Sequence, residues 1–409
     1  EKPPPREGLR DGPISARPPN IAPARLDPAD AGFSSRERPR HPLEHRRSPA
    51  TGRPPGQAQR PPPESRPPDI APRRRSPYPF DTQQSKYAVS HPKEAVFETM
   101  MEFDVLAFGF AFVEVPRKRF GVPFTEPGEF VGPFPSADTA IMIDTAARLG
   151  ARCRYIAAFG DDAFGAVVRN RLAGDGVDLT YTRTLEGYHP AVVFVRYNAD
   201  GSREYLSTGG GRRLTPDLAA PEAVRSAKWV HFSGEVIHAC RSGEEREALM
   251  RVFDSLLPEQ KVSLDPNDGY SMEGFVEAMA PFVARADLIL PSEGEAKTLV
   301  GAESDEEACR LLAAKGKIVA LKRGKRGCDI YIGDEVTHID AFRVEEVDPT
   351  GCGDSFCAGL ITGLVEGMPI ERAGVLANAA GALQATRMGP MEGSMPRAVV
   401  DAFIRENGR

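Results

Sequence analysis

From Phe103 onward the chain alternates short, β-rich apolar runs with stretches of helical periodicity, and that alternation leaves few folds open to it. The run Asp104-Val-Leu-Ala-Phe-Gly-Phe-Ala-Phe-Val113 has the continuous apolar character of a strand buried on both faces. Ala137 to Leu149 has helical spacing and stops at Gly150, a suitable C-terminal cap. Tyr155–Phe159 reads as a strand, and Asp161 and Asp162 then open a helix through Leu172. Trp229–Phe232, Val262–Asp265, Leu288–Leu290 and Ile318–Leu321 are further strand candidates separated by helical stretches. This order predicts an α/β fold with a mainly parallel central sheet. In such sheets ligands bind beyond the carboxyl ends of the strands. One region breaks the alternation. Val192–Tyr197 and Arg203–Ser207 flank Asn198-Ala-Asp-Gly-Ser202, a hairpin signal, and Phe120–Pro135 is rich in Gly and Pro. Together they predict a small β lid over the site, spanning roughly 112–135 and 191–208.

The first 92 residues are different in kind. Residues 1–90 hold 21 of the chain's 38 prolines, and their 17 Lys/Arg against 10 Asp/Glu give a net charge of +7. With −6 overall, the remainder carries −13. Segments such as Arg60-Pro-Pro-Pro-Glu-Ser-Arg-Pro-Pro68 lack the apolar surface needed to offset chain entropy, so residues 1–92 are expected to be disordered. They read either as a basic tether for an acidic partner or nucleic acid, or as an extension without a fold, translated ahead of a start at Met100 or Met101. The net charge makes no whole-chain case for nucleic acid or membrane binding. Six scattered cysteines without metal spacing suit reduced thiols. With no long apolar run and no secretory signal at the start, the expected location is cytoplasmic.

The segment Val347-Asp-Pro-Thr-Gly-Cys-Gly-Asp-Ser-Phe-Cys-Ala-Gly359 carries the most chemistry. Gly351 and Gly353 around Cys352 let the backbone turn tightly and aim several N–H groups at one point. Helical spacing from Ser355 onward puts those groups at a helix N-terminus, where the dipole favours an anion such as a transferred phosphoryl group. Asp354 can accept the proton of an attacking hydroxyl beside it, although an Asp at this position is also a common helix cap.

This stretch resembles the C-terminal signature of the PfkB, or ribokinase-like, carbohydrate kinases, and the resemblance extends from Asp104 to Arg405. It implies a three-layer ribokinase-like fold, a kinase domain over residues 93–409, Asp354 as base, and the amides of Gly351, Cys352 and Gly353 as an anion hole. It further implies that Lys322-Arg-Gly-Lys-Arg-Gly327 lines ATP through Lys322, Gly324 and Gly327, with Asn378 near the adenine. Pro291-Ser-Glu-Gly-Glu295 is similar to the family's Pro-Asn-x-x-Glu motif, with Ser292 in place of Asn and Glu295 ordering Mg2+-bound water. Asp348 and Thr350 fall where some members bind a monovalent cation. Lids of the family often pair between subunits, which implies a homodimer.

The substrate end departs from the family pattern. Where an Asp usually grips sugar hydroxyls, Gly109-Phe-Ala-Phe-Val-Glu114 supplies Glu114. The usual Gly-Gly and Asn are replaced by Pro135-Ser-Ala-Asp-Thr-Ala-Ile141, which leaves Asp138 as the only ionisable group there. Glu235, in His231-Phe-Ser-Gly-Glu235, lies on a loop that reaches the substrate in this family, and Asp265-Pro-Asn267 resembles an element lining the cleft. Arg203, Arg212 and Arg213 are basic residues near the expected entrance. The implied reaction is ATP-dependent phosphoryl transfer to a sugar or sugar-like small molecule. The alternatives are a nucleoside kinase, with Phe110, Phe112, Phe120, Phe124, Phe130 and Phe134 as its base slot, and a non-catalytic sugar or nucleotide sensor.

Overall fold

The alternation places nine strands side by side. In chain order the strands are β1 (Phe103–Gly109), β2 (Phe112–Pro116), β3 (Phe134–Ser136), β4 (Cys153–Gly160), β5 (Arg183–Leu185), β6 (Ala191–Tyr197) and β7 (Arg203–Gly209). There follow β8 (Ala227–Ser233), β9 (Lys261–Asp265), β10 (Leu288–Ile289), β11 (Ile318–Lys322), β12 (Cys328–Ile332) and β13 (Glu335–Ile339). The computed structural model describes residues 101–198, 202–210, 214, 220–240, 243–267 and 273–409. The expected disorder of residues 1–92, the hairpin tip at 199–201, Arg212 and Arg213 lie outside them.

The large sheet has the order β13-β12-β11-β10-β9-β8-β1-β4-β5 and is parallel from β5 to β11, with β12 and β13 antiparallel at one edge. Its central strands are covered on both faces, which is why Val105–Phe108 of β1 and Tyr155–Phe159 of β4 read as apolar runs. The single strand expected over Asp104–Val113 is split: β1 ends at Gly109, and Phe112 and Val113 belong to β2 of the smaller sheet. Phe108 and Phe232 meet edge to face in this core at 4.9 Å. The smaller sheet has the order β3-β2-β6-β7 and forms the lid. Strands β6 and β7 pair antiparallel from Ala191↔Gly209 to Tyr197↔Arg203, as the hairpin signal requires. Of the Gly/Pro-rich stretch, only its end joins a strand, β3.

Six of the helices frame the site: α1 (Asp138–Arg148), α2 (Ala163–Gly174), α3 (Gly234–Ala239), α4 (Glu295–Val300), α5 (Cys352–Val365) and α6 (Ile370–Gln384). Helix α2 starts on Asp162, whose side chain accepts the Gly165 N–H at 2.9 Å. Helix α5 begins at Cys352, three residues earlier than the apolar spacing suggests, so Gly353 and Asp354 belong to its first turn. Close packing holds α5 in place. A Cβ on Gly359 would lie 2.7 Å from Ala377 Cα, and one on Gly363 would lie 2.7 Å from Ala373 Cβ. The missing side chains let α5 and α6 approach backbone to backbone.

Candidate active site

Because β8 to β11 run parallel, their carboxyl ends line up along one edge. Ser233 ends β8 and pairs in register with Asp265 at the end of β9, while Lys322 ends β11 and bridges to Ser292. The sheet thus turns four distant segments into one row. Within it Lys322 Nζ donates to Asp265 Oδ2 at 2.7 Å, with side chains only 10% and 5% exposed. The Cys357 thiol donates to the same oxygen at 3.2 Å. Burial opposes the charge on Lys322, but Asp265, Cys357 and Glu295 outweigh it and keep the ammonium protonated.

Asp138 opens α1 above this row. Its Oδ1 accepts Thr139 N–H at 2.6 Å, and its Oδ2 accepts Asn267 Nδ2 at 2.6 Å together with the Ser233 hydroxyl. Burial raises its pKa, these hydrogen bonds resist, and Asp265 adds to the rise. The preceding Ala137 takes φ +118°, a strained conformation for a residue with a side chain.

Asp354 is half-buried in the first turn of α5, and its carboxylate accepts no hydrogen bond from any described residue. The N–H groups of Gly351, Gly353 and Asp354 likewise have no acceptor among the described residues, whereas Cys352 N–H donates to Pro349 O at 3.3 Å. Gly351 turns the chain into the helix at φ +80°, where a Cβ would lie 2.3 Å from Pro390 O. Burial drives the Asp354 pKa well above the usual carboxylate range; Asp138 and Asp265 push it further, and Lys322 pulls it down. An unpartnered carboxylate with a raised pKa beside free amides has the form of a general base next to an anion site. The Cys352 thiol is pushed up to about 12 by burial and by Asp348, Glu346 and Asp354, so it is no thiolate nucleophile.

Beside these amides opens a cavity of about 590 Å³ lined by Ser292, Lys322, Gly324, Gly327, Gly353 and Asn378, among others. Every residue the sequence assigned to a nucleotide is therefore on its wall. Asn378 Nδ2 is committed to Ile339 O at 3.0 Å and Asp340 O at 3.2 Å, so its amide holds the wall strand's end in place. Glu295 is buried at the start of α4, where Oε2 accepts Ser292 N–H at 2.7 Å. Lys325 points to the rim and pairs with Glu346 at 3.0 Å. The sequence reading missed the opposite wall, which includes Phe342, Gly381, Ala382 and Ala385. Its only trace is the small-residue face at the end of α6.

Glu235 sits in α3, half-buried, and its charge acts on Asp354. Glu114 goes elsewhere. On lid strand β2 it accepts Ser136 Oγ at 2.7 Å, and the charges around it are Asp348 and Arg203 rather than Asp138 and Asp354. Burial lifts its pKa to about 7. Arg203 reaches from β7 to Thr350 Oγ1 at 3.1 Å. Of the six phenylalanines, Phe110 and Phe112 are buried in the core, Phe120 stacks on Tyr197 and Phe130 packs against Phe194.

The pfkB family carbohydrate kinase profile matches residues 139–398, which contain the wall of the cavity and the Asp354 turn. The chain belongs to the pfkB family of carbohydrate kinases. The kinase is 28% identical over 314 residues to fructokinase-1 of Oryza sativa, covering 72% of this chain and 95% of that protein. A structure from E. coli assigned as ribokinase II, in complex with ATP and Mg2+, has a TM-score of 0.69 and 31% identity over 74% of this chain and 99% of that one. A double mutant of Vibrio cholerae fructokinase bound to fructose, ADP and potassium shares the fold, with a TM-score of 0.63 and 21% identity over 74% and 98% of the two chains. The kinase is thus a phosphotransferase acting on a sugar hydroxyl. Among its described residues no helix is long and apolar enough to cross a membrane.

Proposed function

We propose that this kinase transfers the γ-phosphate of ATP directly to a hydroxyl of a sugar or sugar-like molecule, with Asp354 as the catalytic base. The observation that carries the reading is the pairing of an unpartnered Asp354 carboxylate with the free N–H groups of Gly353 and Asp354 at the mouth of the nucleotide-sized cavity. ATP lies along the cavity between Lys322, Gly324, Gly327 and Asn378. The acceptor lies between Asp354, Asp138 and Glu235. Asp354 takes the hydroxyl proton as the oxygen attacks phosphorus in line, and the free amides of Gly351, Gly353 and Asp354 hold the charge that builds on the phosphoryl oxygens, the expected Cys352 amide being engaged by Pro349 O. Lys322 adds positive charge below them: a Cβ on Gly353 would lie 3.5 Å from its Nζ.

The hard oxygens of Glu295, buried beside the Ser292 edge of the cavity, suit magnesium, which binds few protein ligands and leans on phosphate and water. When bound with the nucleotide, magnesium supplies charge that offsets the phosphates. Asp138, already aimed by Ser233 and Asn267, keeps one acceptor position on Oδ1 for an acceptor hydroxyl. The lid edge β7 is exposed along its length, with Tyr205 and Leu206 at 55% and 52%, which supports pairing of lids between two copies.

The test is ATP consumption with magnesium over a panel of sugars, sugar acids and nucleosides, run beside Asp354→Asn. The expected outcome is turnover with a sugar that falls by about 10²- to 10⁴-fold in the variant while ATP still binds. Equal turnover by the variant would remove Asp354 from the chemistry, and tight ATP binding without turnover of any acceptor would favour a sensor.

A further inference from the structure

Beside the anion hole a second turn, residues 386–394, folds back from the end of α6 against residues 348–351, close enough that Pro390 O abuts Gly351. Where two such turns meet, backbone carbonyls converge, and converging oxygens are what a hard cation binds. The V. cholerae double mutant holds potassium, and Asp348 and Thr350 are where the sequence resemblance implies a monovalent ion. Here the converging oxygens are already engaged. Gln384, fully buried, donates through Nε2 to Thr350 O at 3.0 Å and to Gly389 O at 2.8 Å. One protein nitrogen therefore occupies the point on which both carbonyls close. The amide cannot be turned round, because Oε1 accepts Gly393 N–H at 3.1 Å and only an oxygen can do so.

Several neighbouring oxygens are engaged as well, although the buried Ser394 Oγ is left without a hydrogen-bond partner among the described residues. Asp348 accepts Thr350 N–H on Oδ1 and Gly389 N–H on Oδ2, both at 2.9 Å. Met391 O accepts Arg171 Nη2 at 2.8 Å. Thr350 Oγ1 accepts Arg203 Nη1 at 3.1 Å, which carries a full positive charge from the lid to the residue preceding Gly351. With donors seated on Thr350 O, Gly389 O and Thr350 Oγ1, the residues do not fit a monovalent cation at that point.

We propose that Gln384 and Arg203 stand in for a monovalent cation beside the anion hole, Gln384 by tying the two turns together and Arg203 by supplying the charge, so that this kinase neither binds nor needs potassium. The proposal rests on reading residues 351–354 as the anion hole. Its binding half is tested without turnover. A ligand that binds only the folded state raises the melting temperature by mass action, so the full chain is melted in equal concentrations of potassium chloride and tetramethylammonium chloride. Equal midpoints, within about 1 °C, are expected; a potassium-specific rise of about 3 °C or more overturns the proposal.

Gln384→Glu removes both N–H donors and places a carboxylate between the carbonyls. It is expected to melt lower and to recover part of the loss in potassium only; equal recovery in both salts overturns the assignment to Gln384. Arg203 lies on the exposed lid edge, where substitution leaves the core untouched. Arg203→Met is expected to lose about tenfold or more in kcat, with Arg203→Lys recovering much of it, in either salt. Unchanged kcat in the Met variant, or activation of the unsubstituted enzyme by potassium of about threefold or more, overturns the proposal. Failure to turn over any sugar would sink the kinase mechanism instead, and the melting comparison would still decide the cation question.

Discussion

Replacing Lys322 by Met keeps the length and apolar stem of the side chain but strands the carboxylate of Asp265. The two groups are 2.7 Å apart and almost fully buried, so neither solvent nor salt screens what is lost. Breaking such a pair from one side costs about 3–5 kcal/mol, because the surviving charge keeps its desolvation penalty and loses its partner. For a domain of this size that is about 2 °C per kcal/mol, or a fall of about 6–10 °C in Tm. The double variant Lys322→Met with Asp265→Asn removes both charges, and its loss should be about 2–3 kcal/mol smaller than the sum of the two single losses. The same change reaches Asp354, the proposed base. Lys322 is the cation that opposes Asp138 and Asp265 at Asp354, so its removal drives the Asp354 pKa higher still and moves the acid limb of kcat to higher pH. Calorimetry of the four proteins at pH 7.5 and a pH–rate series measure the two effects. A single variant melting within about 2 °C of the unsubstituted enzyme, or strictly additive losses, would refute the claim that this pair holds the sheet edge together.

Asp138→Asn takes a like charge away from Asp354 and should move the acid limb of kcat to lower pH while raising KM for the sugar; a limb that stays put would mean the two carboxylates do not interact. Glu114 tests linkage in the lid. Its pKa rises from an ordinary 4.5 to about 7 on folding, so the fold favours the neutral acid. That contribution is complete below the unfolded value and is lost as pH climbs through the folded one, by up to about 3 kcal/mol between pH 5 and 8. Glu114→Gln should therefore flatten the fall in unfolding free energy over that window, and an unchanged slope would show that Glu114 is not its source.

The sequence by itself carried the fold and the segment proposed here to hold phosphate. Apolar runs and helical spacing report which faces are buried, and a parallel α/β sheet follows from their order. The turn proposed to bind the anion was legible for a similar reason. Gly351, Cys352, Gly353 and Asp354 are contiguous, so backbone geometry alone brings their groups together. The start of α5 was placed three residues late because apolar periodicity says nothing about the polar residues of a first helical turn. What the tertiary structure decided is which distant side chains meet. Lys322 finds Asp265 57 positions away, Asp138 collects Ser233 and Asn267 from 95 and 129 positions away, and Gln384 reaches Thr350 across 34. These meetings depend on β8, β9, β10 and β11 lying side by side and on α6 turning back beneath α5, an order that spacing along the chain does not encode. Glu114 illustrates the limit: its alignment with a substrate-gripping Asp is visible in the sequence, but its seat on β2 is set by sheet pairing, which delivers it to Asp348 and Arg203. Local pattern states what each segment becomes, and only packing states what it faces, because contact energies act between neighbours in space.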